Sequence, residues 1–404
     1  MRCLKGFAPL VLALGCGGPS AEGDGSTSSE SESGVPSESG TEAVATESES
    51  ESETGETEGD PPRPARLLAT ADWRAKRVSL IDYAALRDGA ESRDDALWKS
   101  LELPDHEPGP LEVELTPDGS LAVIASSPGF FPGSAGGLVG LSEELPIGGG
   151  LLIVDVESEV VLAELETAHY PMGIAISPDG STAWTANYGG NGQSGTTISV
   201  IDLGSFTITE ELEVGPGPEQ IDLSADGGLG MVNIASNGAI RVFEAGNPSG
   251  TLSPDVVVSE DPSWVLFLDD GMDRAVAINS LGPPGYSLLD VADPSAPIVL
   301  DTVSVAGVAY AVASGRSLDE ILLAVFTGIS ISLQMFDVDD GEMIELIEAP
   351  ITGLPLGIAF DPDDEIAMVP APAARSLIVA DFASGEYRVI DWQDEPGPTY
   401  VSLE

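Results

Sequence analysis

The stretch that decides the fold is 171–218, which reads PMGIAISPDGSTAWTANYGGNGQSGTTISVIDLGSFTITEELEVGPGP. It contains four short apolar runs: 172–176, a run ending at Asn187, 198–203 and 206–214. Val and Ile are frequent in these runs, and a Ser-Pro-Asp-Gly turn and a Gly-rich loop separate them, which is typical of β-strands. Four strands in about 45 residues is the period of a β-propeller blade.

The same unit recurs along the chain. Aligned on the first turn, the repeats start at Pro110, Pro171, Pro218, Pro262, Ala306, Pro355 and Pro398. A second marker is the acidic residue that ends the third run, at Asp82, Asp155, Asp202, Glu244, Asp290, Asp337 and Asp381. Two markers in register, seven times each, predict an all-β, seven-bladed β-propeller. The recurring acids are interpreted as structural, because a turn Asp can accept bonds from backbone N–H groups two residues on, while Gly adopts a positive φ.

The two ends of the chain are predicted to close the ring together. The first blade, 65–103, has only three strand-like runs, and its innermost strand is missing. The C-terminal segment 398–404, PTYVSLE, matches the first strand of the other repeats and has no partners after it. Adding this segment to the first blade supplies the fourth strand and removes an open edge.

The sequences GIAISPDG, TANYG and ISVID resemble the YVTN-repeat family of seven-bladed propellers. The resemblance is closest over 171–215 and is recognisable at 110–125, 151–156 and 355–382. An Asn commonly closes the second strand in that family, and Asn187 matches it. Ser126, Ser236 and Thr327 stand near the equivalent place in other blades. The resemblance implies the propeller fold and a secreted context, but no specific activity, because the family is functionally diverse.

The N-terminus has the features of a targeting segment. Arg2 and Lys5 precede an apolar core at 7–14, which is too short to span a bilayer as a helix. The sequence Ala-Leu-Gly-Cys ending at Cys16 resembles a bacterial lipobox, which implies that 1–15 is a lipoprotein signal peptide and that Cys16 is lipidated. We therefore expect a lipid anchor in the cell envelope, at the outer membrane. The alternative is an ordinary secretory signal.

Residues 16–62 are predicted to be a disordered acidic tether between that anchor and the propeller at 63–404. The segment consists mainly of Gly, Ser, Thr and Glu, and it contains no Lys or Arg. Such a composition cannot bury enough apolar area to offset the entropy lost on ordering. The alternative is a remnant of processing without a role.

Composition excludes several classes of function. The formal net charge of −53 disfavours nucleic-acid binding, which requires clustered Lys and Arg. Cys3 and Cys16 are the only cysteines, so we expect no disulfide framework. The acid-rich turns at 337–342 and 361–365 lack the spacing of a twelve-residue calcium loop. We assign no catalytic residue, no metal and no cofactor.

A ligand-binding face is predicted where irregular loops interrupt the regular frame. The loops that join consecutive blades, and those that join the second strand to the third, surround one mouth of the channel. Their rarer side chains are His106, Phe131, His169, Tyr170, Asn187, Tyr188, Glu219, Trp264 and Tyr400. An insertion at 127–150 lies in the same place. We expect these aromatic and acidic groups to form a surface for a protein, glycan or cationic partner.

The sequence leaves three alternatives for the function: a binding module, an enzyme, and a purely structural protein of the envelope. The favoured one is a monomeric, lipid-anchored, extracytoplasmic module that binds a protein, glycan or envelope component. The second is an extracytoplasmic hydrolase of the lactonase kind, which rests on analogy of fold. Binding is favoured because the few Lys, Arg and His residues offer little for a convergent acid, base and electrophile.

Overall fold

The computed structural model describes residues 61–105, 107–127, 150–190, 193–268, 273–393 and 397–404. The predicted signal peptide, most of the predicted tether, and 128–149 of the insertion lie outside these residues. Seven four-stranded antiparallel sheets form the compact unit Arg63–Glu404. The innermost strand of each sheet contacts the innermost strands of its two neighbours around a complete ring. The predicted seven-bladed β-propeller is therefore confirmed.

The strands are given for each blade from the channel outward. Blade 1 contains Tyr400–Leu403 (β28), Leu67–Asp72 (β1), Arg77–Asp82 (β2) and Leu97–Glu102 (β3). Blade 2 contains Pro110–Leu115 (β4), Leu121–Ser126 (β5), Gly150–Asp155 (β6) and Val160–Glu166 (β7). Blade 3 contains Pro171–Ile176 (β8), Thr182–Gly190 (β9), Gln193–Asp202 (β10) and Thr207–Glu213 (β11). Blade 4 contains Pro218–Leu223 (β12), Leu229–Ile234 (β13), Ala239–Glu244 (β14) and Val256–Val257 (β15).

The remaining three blades follow the same order. Blade 5 contains Asp261–Leu268 (β16), Arg274–Leu281 (β17), Gly285–Asp290 (β18) and Ile298–Ser304 (β19). Blade 6 contains Val308–Ser314 (β20), Glu320–Phe326 (β21), Ile331–Asp337 (β22) and Met343–Ala349 (β23). Blade 7 contains Ala359–Asp361 (β24), Ile366–Ala371 (β25), Ser376–Asp381 (β26) and Glu386–Asp391 (β27). Short helices lie between strands at Tyr83–Arg87 (α1), Arg93–Ala96 (α2) and Pro248–Thr251 (α3), with 3₁₀ turns at Ala235–Asn237 and Pro372–Ala374. None of the described helices is long and apolar enough to cross a membrane.

The first turn of each repeat shows why Asp and Gly recur there. Asp179 Oδ1 accepts from the backbone N–H of Ser181 at 3.0 Å and from the hydroxyl of Ser177 at 2.7 Å. The next residue, Gly180, has a φ of 69°, a left-handed conformation that glycine adopts without steric cost. The acids that end the third strands act similarly, since Asp202 Oδ1 accepts from Ser205 N at 2.7 Å. Asp179 and Asp202 thus have the structural role that the sequence predicts for the repeated acids.

The predicted closure is also confirmed. Strand β28 pairs antiparallel with β1, with Val401 opposite Thr70. Arg63 Nη2 lies 2.7 Å from Glu404 Oε1, and the Arg66 Nε–H donates to the Glu404 carbonyl at 2.7 Å. The C-terminal strand thus completes blade 1, and charged groups at both ends of the chain hold it in register.

The innermost strands position the channel. In each blade the first strand begins at the face that carries the blade-to-blade loops, here called the loop side. It ends at the face that carries the Pro-Asp-Gly turns, here called the turn side. The seven innermost strands therefore surround the channel, and their first and last residues mark its two mouths.

Candidate functional site

A column of five acidic side chains follows the channel: Asp261, Glu219, Glu112, Glu114 and Asp222. Their order along the axis follows from their places in the innermost strands. Asp261 begins β16, Glu219 is the second residue of β12, and Glu114 and Asp222 are the fifth residues of β4 and β12. At about 3.3 Å per residue, four residue steps make the column roughly 13 Å long from the loop side toward the turn side.

Glu112 lies in the middle of the column and is only 2% exposed. Its Oε1 accepts from the backbone N–H of Ile174 at 2.8 Å, and its Oε2 accepts from Gln220 Nε2 at 2.7 Å. The neighbouring strand contributes Gly173, where a Cβ atom would lie 2.5 Å from the Gln220 side-chain oxygen. Glycine at this position therefore leaves room for Gln220 to reach Glu112. Burial, and secondarily the charge of Glu114, raises the pKa of Glu112 well above its usual value.

Glu114 is held by the C-terminal strand. Its Oε1 accepts from Tyr400 Oη at 2.9 Å and its Oε2 accepts from Ser402 Oγ at 2.5 Å. Burial raises its pKa to about 7, although these two hydrogen bonds act in the opposite direction. Both carboxyl oxygens are acceptors here, so the surrounding groups are arranged for the ionised form.

Asp222 faces the same part of the channel from blade 4. Its Oδ2 accepts from the backbone N–H of Phe267 at 2.7 Å. Burial raises its pKa to about 6. The side chains of Asp222 and Glu114 retain some exposure to the channel interior, although protein surrounds them.

Two cavities, of about 280 and 270 Å³, meet at Glu114, Ile174 and Asp222. The larger one is here called the turn-side chamber, because its wall includes turn residues such as Gly315 and Pro362. The indole of Trp264 and the phenol ring of Tyr400 also line it, stacked at 5.8 Å between ring centroids and 7° between planes. Its apolar walls are Ile174, Leu266, Val312, Ile358 and Phe360. The chamber thus combines two carboxyls, an aromatic pair and an aliphatic lining.

A second group of polar side chains lies toward the loop side. Glu219 is 4% exposed, and its Oε1 accepts from Tyr310 Oη at 3.0 Å. Burial raises the pKa of Glu219 well above its usual value, and the charges of Asp261 and Glu112 raise it further. Burial also raises the pKa of Tyr188, with smaller contributions from Glu219 and Asp261. The side chains of Glu219, Asp261, Tyr188 and Tyr310 therefore share one electrostatic environment.

The column is electrostatically continuous. The charges of Asp261 and Glu112 influence the pKa of Glu219. The charge of Glu114 influences the pKa of Glu112, and the charge of Asp222 influences the pKa of Glu114. Each of these effects raises a pKa. Within the part of the chain that the structure describes, no Lys, Arg or His is among the groups that shift the pKa of any of the five. Buried negative charge is costly unless a positive group compensates it, so the channel is suited to a cation.

Four of the residues predicted from sequence fall within this channel, in two pairs. Trp264 and Tyr400 stack on each other in the turn-side chamber, and Tyr188 and Glu219 belong to the loop-side group. Trp264 and Tyr400 were predicted in loops of the loop side, but they lie in innermost strands and line a chamber that reaches the turns. The predicted binding surface on the loop side stays a prediction, because most of the insertion lies outside the described residues.

The other predicted residues are dispersed. Asn187 is fully buried, and its Nδ2 donates to Thr197 Oγ1 and Ser199 Oγ at 2.9 Å each, so it binds strands of its own blade. Tyr170 is buried just before β8. His169 is half-buried, and its Nδ1 has no hydrogen-bond partner among the described residues. His106 and Phe131 lie outside the described residues.

Sequence reasoning missed Glu112, Glu114, Asp222, Asp261 and Tyr310. A usable signal was present in the run PLEVEL, where two acids alternate with apolar residues in an innermost strand. Such a strand is covered on both sides by neighbouring blades, so a charged residue there has only the channel to face.

Asn279 was also missed. It lies opposite Pro262 in blade 5, as Asn187 lies opposite Pro171 in blade 3, and its Nδ2 donates to Ser287 Oγ at 3.0 Å.

Among the described residues no group of three or more His, Cys, Asp or Glu side chains is arranged to hold a metal ion.

Neither a family model nor a curated protein sequence matches this chain. Solved structures resemble it in fold. One is the hydrazine synthase of Kuenenia stuttgartiensis, with a TM-score of 0.53 and 19% identity over 69% of this chain and 78% of that one. Another is a functionally unknown protein from Desulfotomaculum acetoxidans, with a TM-score of 0.61 and 14% identity over 83% of this chain and 98% of that one. At these identities the likeness concerns the fold alone.

Proposed function

We propose that this protein is a lipid-anchored binding module of a bacterial cell envelope and that its ligand presents positive charge to the central channel. The observation that carries the proposal is the column of five carboxyls, four of which accept hydrogen bonds from neutral donors: the backbone N–H groups of Ile174 and Phe267 and the side chains of Gln220, Tyr310, Tyr400 and Ser402. Natural cores seldom retain buried, uncompensated acids, because replacing them with apolar residues is usually stabilising. Two of them, Glu114 and Asp222, line cavities, which favours a role in binding.

The location is inferred from the N-terminal sequence. The signal-like segment 1–15, the lipobox-like residues ending at Cys16 and the acidic stretch 16–62 favour an anchored and tethered domain outside the cytoplasm. The YVTN-like repeats around Asn187 agree with a secreted context. We infer a monomer whose partner is a protein, glycan or envelope component with exposed basic groups.

The test is charge-dependent capture on the full chain, immobilised in detergent and exposed to envelope extract at low and high salt. Three proteins are compared: the wild type, a double variant Glu114→Gln/Asp222→Asn, and Glu211→Gln as a matched control. Glu211 is exposed on β11, so its substitution removes an acid without touching the channel. Cationic components retained by the wild type and the control, and lost from the double variant, support the proposal.

Two results would contradict it. If the double variant retains the same components as the wild type, the channel is not the site. If the retained components are neutral or anionic, the charge argument is wrong. The alternative, a hydrolase of the lactonase kind, is tested alongside with lactone and phosphoester substrates, and turnover that the double variant loses would replace a binding role by a catalytic one.

A further inference from the structure

The turn-side chamber has the composition of a site for one particular kind of cation. Glu114 and Asp222 provide negative charge, and Trp264 and Tyr400 provide a stacked aromatic wall. The aliphatic side chains of Ile174, Leu266, Val312 and Ile358 complete the lining. A small inorganic ion would use only the carboxyls. A ligand with both an alkyl chain and a charged end would use every part of this wall.

The hydrogen bonds of the carboxyls favour an ionised state. Tyr400 Oη and Ser402 Oγ each donate to a different oxygen of Glu114, and the backbone N–H of Phe267 donates to Asp222. Each of these bonds stabilises a carboxylate, and all three donors are neutral. The protein therefore orients two acceptors toward a cavity and leaves their charge for a ligand to balance.

Ammonium types differ in the number of N–H donors that they can offer to the carboxylate acceptors of the chamber. A primary ammonium has three N–H donors, which suit the free lone pairs of two carboxylates. A quaternary ammonium has no donors and is bound mainly by a cage of aromatic faces. The chamber has three aromatic residues, of which Trp264 and Tyr400 stack on each other rather than spreading around a centre. The wall is therefore better suited to a primary ammonium.

We propose that the turn-side chamber binds a primary aliphatic ammonium group, with Glu114 and Asp222 as its counter-ions and Trp264 and Tyr400 against its alkyl chain. The inference deepens the proposed function and rests on it. The ammonium could belong to a free alkylamine or to a lysine side chain. The shared chemistry is an unbranched carbon chain that ends in NH₃⁺.

The experiment is calorimetric titration of the full chain in detergent at pH 7.5 and constant ionic strength. The main probe is n-butylammonium, used up to about 10 mM, because a ligand with so few atoms is expected to bind weakly. Its neutral isostere n-butanol tests the contribution of charge, tetramethylammonium tests the need for N–H donors, and Ca²⁺ tests for an inorganic cation. Nα-acetyl-lysine amide distinguishes a lysine side chain from a free amine.

We expect n-butylammonium to bind the wild type and Glu211→Gln with affinities within about two-fold of each other. Glu114→Gln and Asp222→Asn should each weaken binding about ten-fold or more, because each removes a charge-assisted partner. Melting curves of each variant check that the fold is retained. Tighter binding of Nα-acetyl-lysine amide than of n-butylammonium would assign the site to protein partners, and the reverse to free amines.

The inference is overturned if n-butanol binds as well as n-butylammonium, since the chamber would then be merely apolar. It is also overturned if tetramethylammonium binds more tightly, if Ca²⁺ alone binds, if folded Glu114→Gln and Asp222→Asn proteins bind like the wild type, or if no amine binds. The proposed function would survive any of these results, provided that channel-dependent capture of cationic envelope components is observed. Loss of that capture, with n-butylammonium still bound, would refute the proposed function and leave the chamber as an amine site.

Discussion

Tyr400, in the last strand of the chain, donates its hydroxyl hydrogen to Glu114 in blade 2 at 2.9 Å. The C-terminal strand therefore closes the ring and at the same time orients a carboxyl of the channel. Tyr400 also stacks on Trp264 of blade 5, so it connects three blades across the channel. Closure of the propeller and construction of the site depend on the same few residues.

Tyr400→Phe should separate these roles, because it keeps the ring and removes the hydroxyl. Without that donor the ionised form of Glu114 is less stable, and the pKa of Glu114 should rise further above about 7. We expect binding of a cationic ligand at pH 7.5 to weaken several-fold and the free energy of unfolding to fall by about 1 kcal/mol. Calorimetric titration and urea denaturation measure these two effects. Full affinity in Tyr400→Phe would show that this hydrogen bond does not maintain the charge of Glu114.

Deletion of 398–404 should lower the free energy of unfolding by about 3 kcal/mol or more. The deletion removes the pairing of β28 with β1, the buried side chain of Val401, and the ion pair of Glu404 with Arg63. Urea denaturation of the full and shortened chains measures the change.

The control for the deletion is Glu404→Gln, which breaks only the partly exposed ion pair and should cost less than about 1 kcal/mol. A shortened chain with unchanged denaturation would mean that the closing strand adds little to the stability of the ring.

The fold was predictable because the repeats encode it locally. The turn at Asp179 and Gly180, and the strand-ending acid Asp202, occupy the same place in successive units and form the same bonds there. The closure was predictable because one strand was missing at one end and one was unpaired at the other.

The site was less predictable because it is built across blades. Glu112 meets Gln220 at a separation of 108 residues, and Glu114 meets Tyr400 at a separation of 286. No local spacing indicates such pairs. Sequence reasoning found Trp264 and Tyr400 because they are rare aromatic residues, and it overlooked Glu112 and Glu114 because acids are abundant in a chain of this charge. Their place in an innermost strand was the informative feature.

Cys16→Ala should release the protein from membranes. A small residue and an apolar run precede Cys16, as in lipoprotein signals, and the predicted thioether-linked lipid would be the only strong anchor. We expect the wild type in the membrane fraction after a high-salt wash and the variant in the soluble fraction. Mass spectrometry of the mature N-terminus provides a second readout. An unmodified N-terminus in the wild type would contradict lipidation.

Asp179→Ala should lower stability without affecting the channel. The side chain accepts three hydrogen bonds in its turn, from Ser177 Oγ, Ser181 N and Ser181 Oγ, and these bonds lower its pKa to about 2. We expect the free energy of unfolding to fall, because loss of a capping side chain leaves backbone N–H groups of the turn without their partner. Affinity for n-butylammonium should stay within about two-fold of the wild type, since no residue of this turn lines the turn-side chamber. Lost affinity in a folded Asp179→Ala protein would place the turn in the site.

The channel acids should make the protein more stable in mild acid than at neutral pH. The folded-state pKa is raised to about 7 for Glu114 and to about 6 for Asp222, so the folded chain binds more protons than the unfolded chain above pH 4.5. Stability therefore falls as the pH rises, at up to about 1.4 kcal/mol per pH unit for each group, until the folded-state pKa is passed.

The turn acids have the opposite sign, because the pKa of Asp179 is lowered to about 2, and their contribution is lost only as the pH falls below about 4. We therefore expect maximum stability near pH 4–5, measured by urea denaturation across the range. The double variant Glu114→Gln/Asp222→Asn should flatten the decline between pH 5 and 7, whereas Glu211→Gln should leave it unchanged. An amine ligand should stabilise the wild type more at pH 8 than at pH 5, because it binds the ionised carboxyls. A free energy of unfolding that rises steadily from pH 5 to pH 8 in the free protein would contradict this prediction. It would show that ionising the channel carboxyls is not costly, and cation binding as proposed depends on that cost.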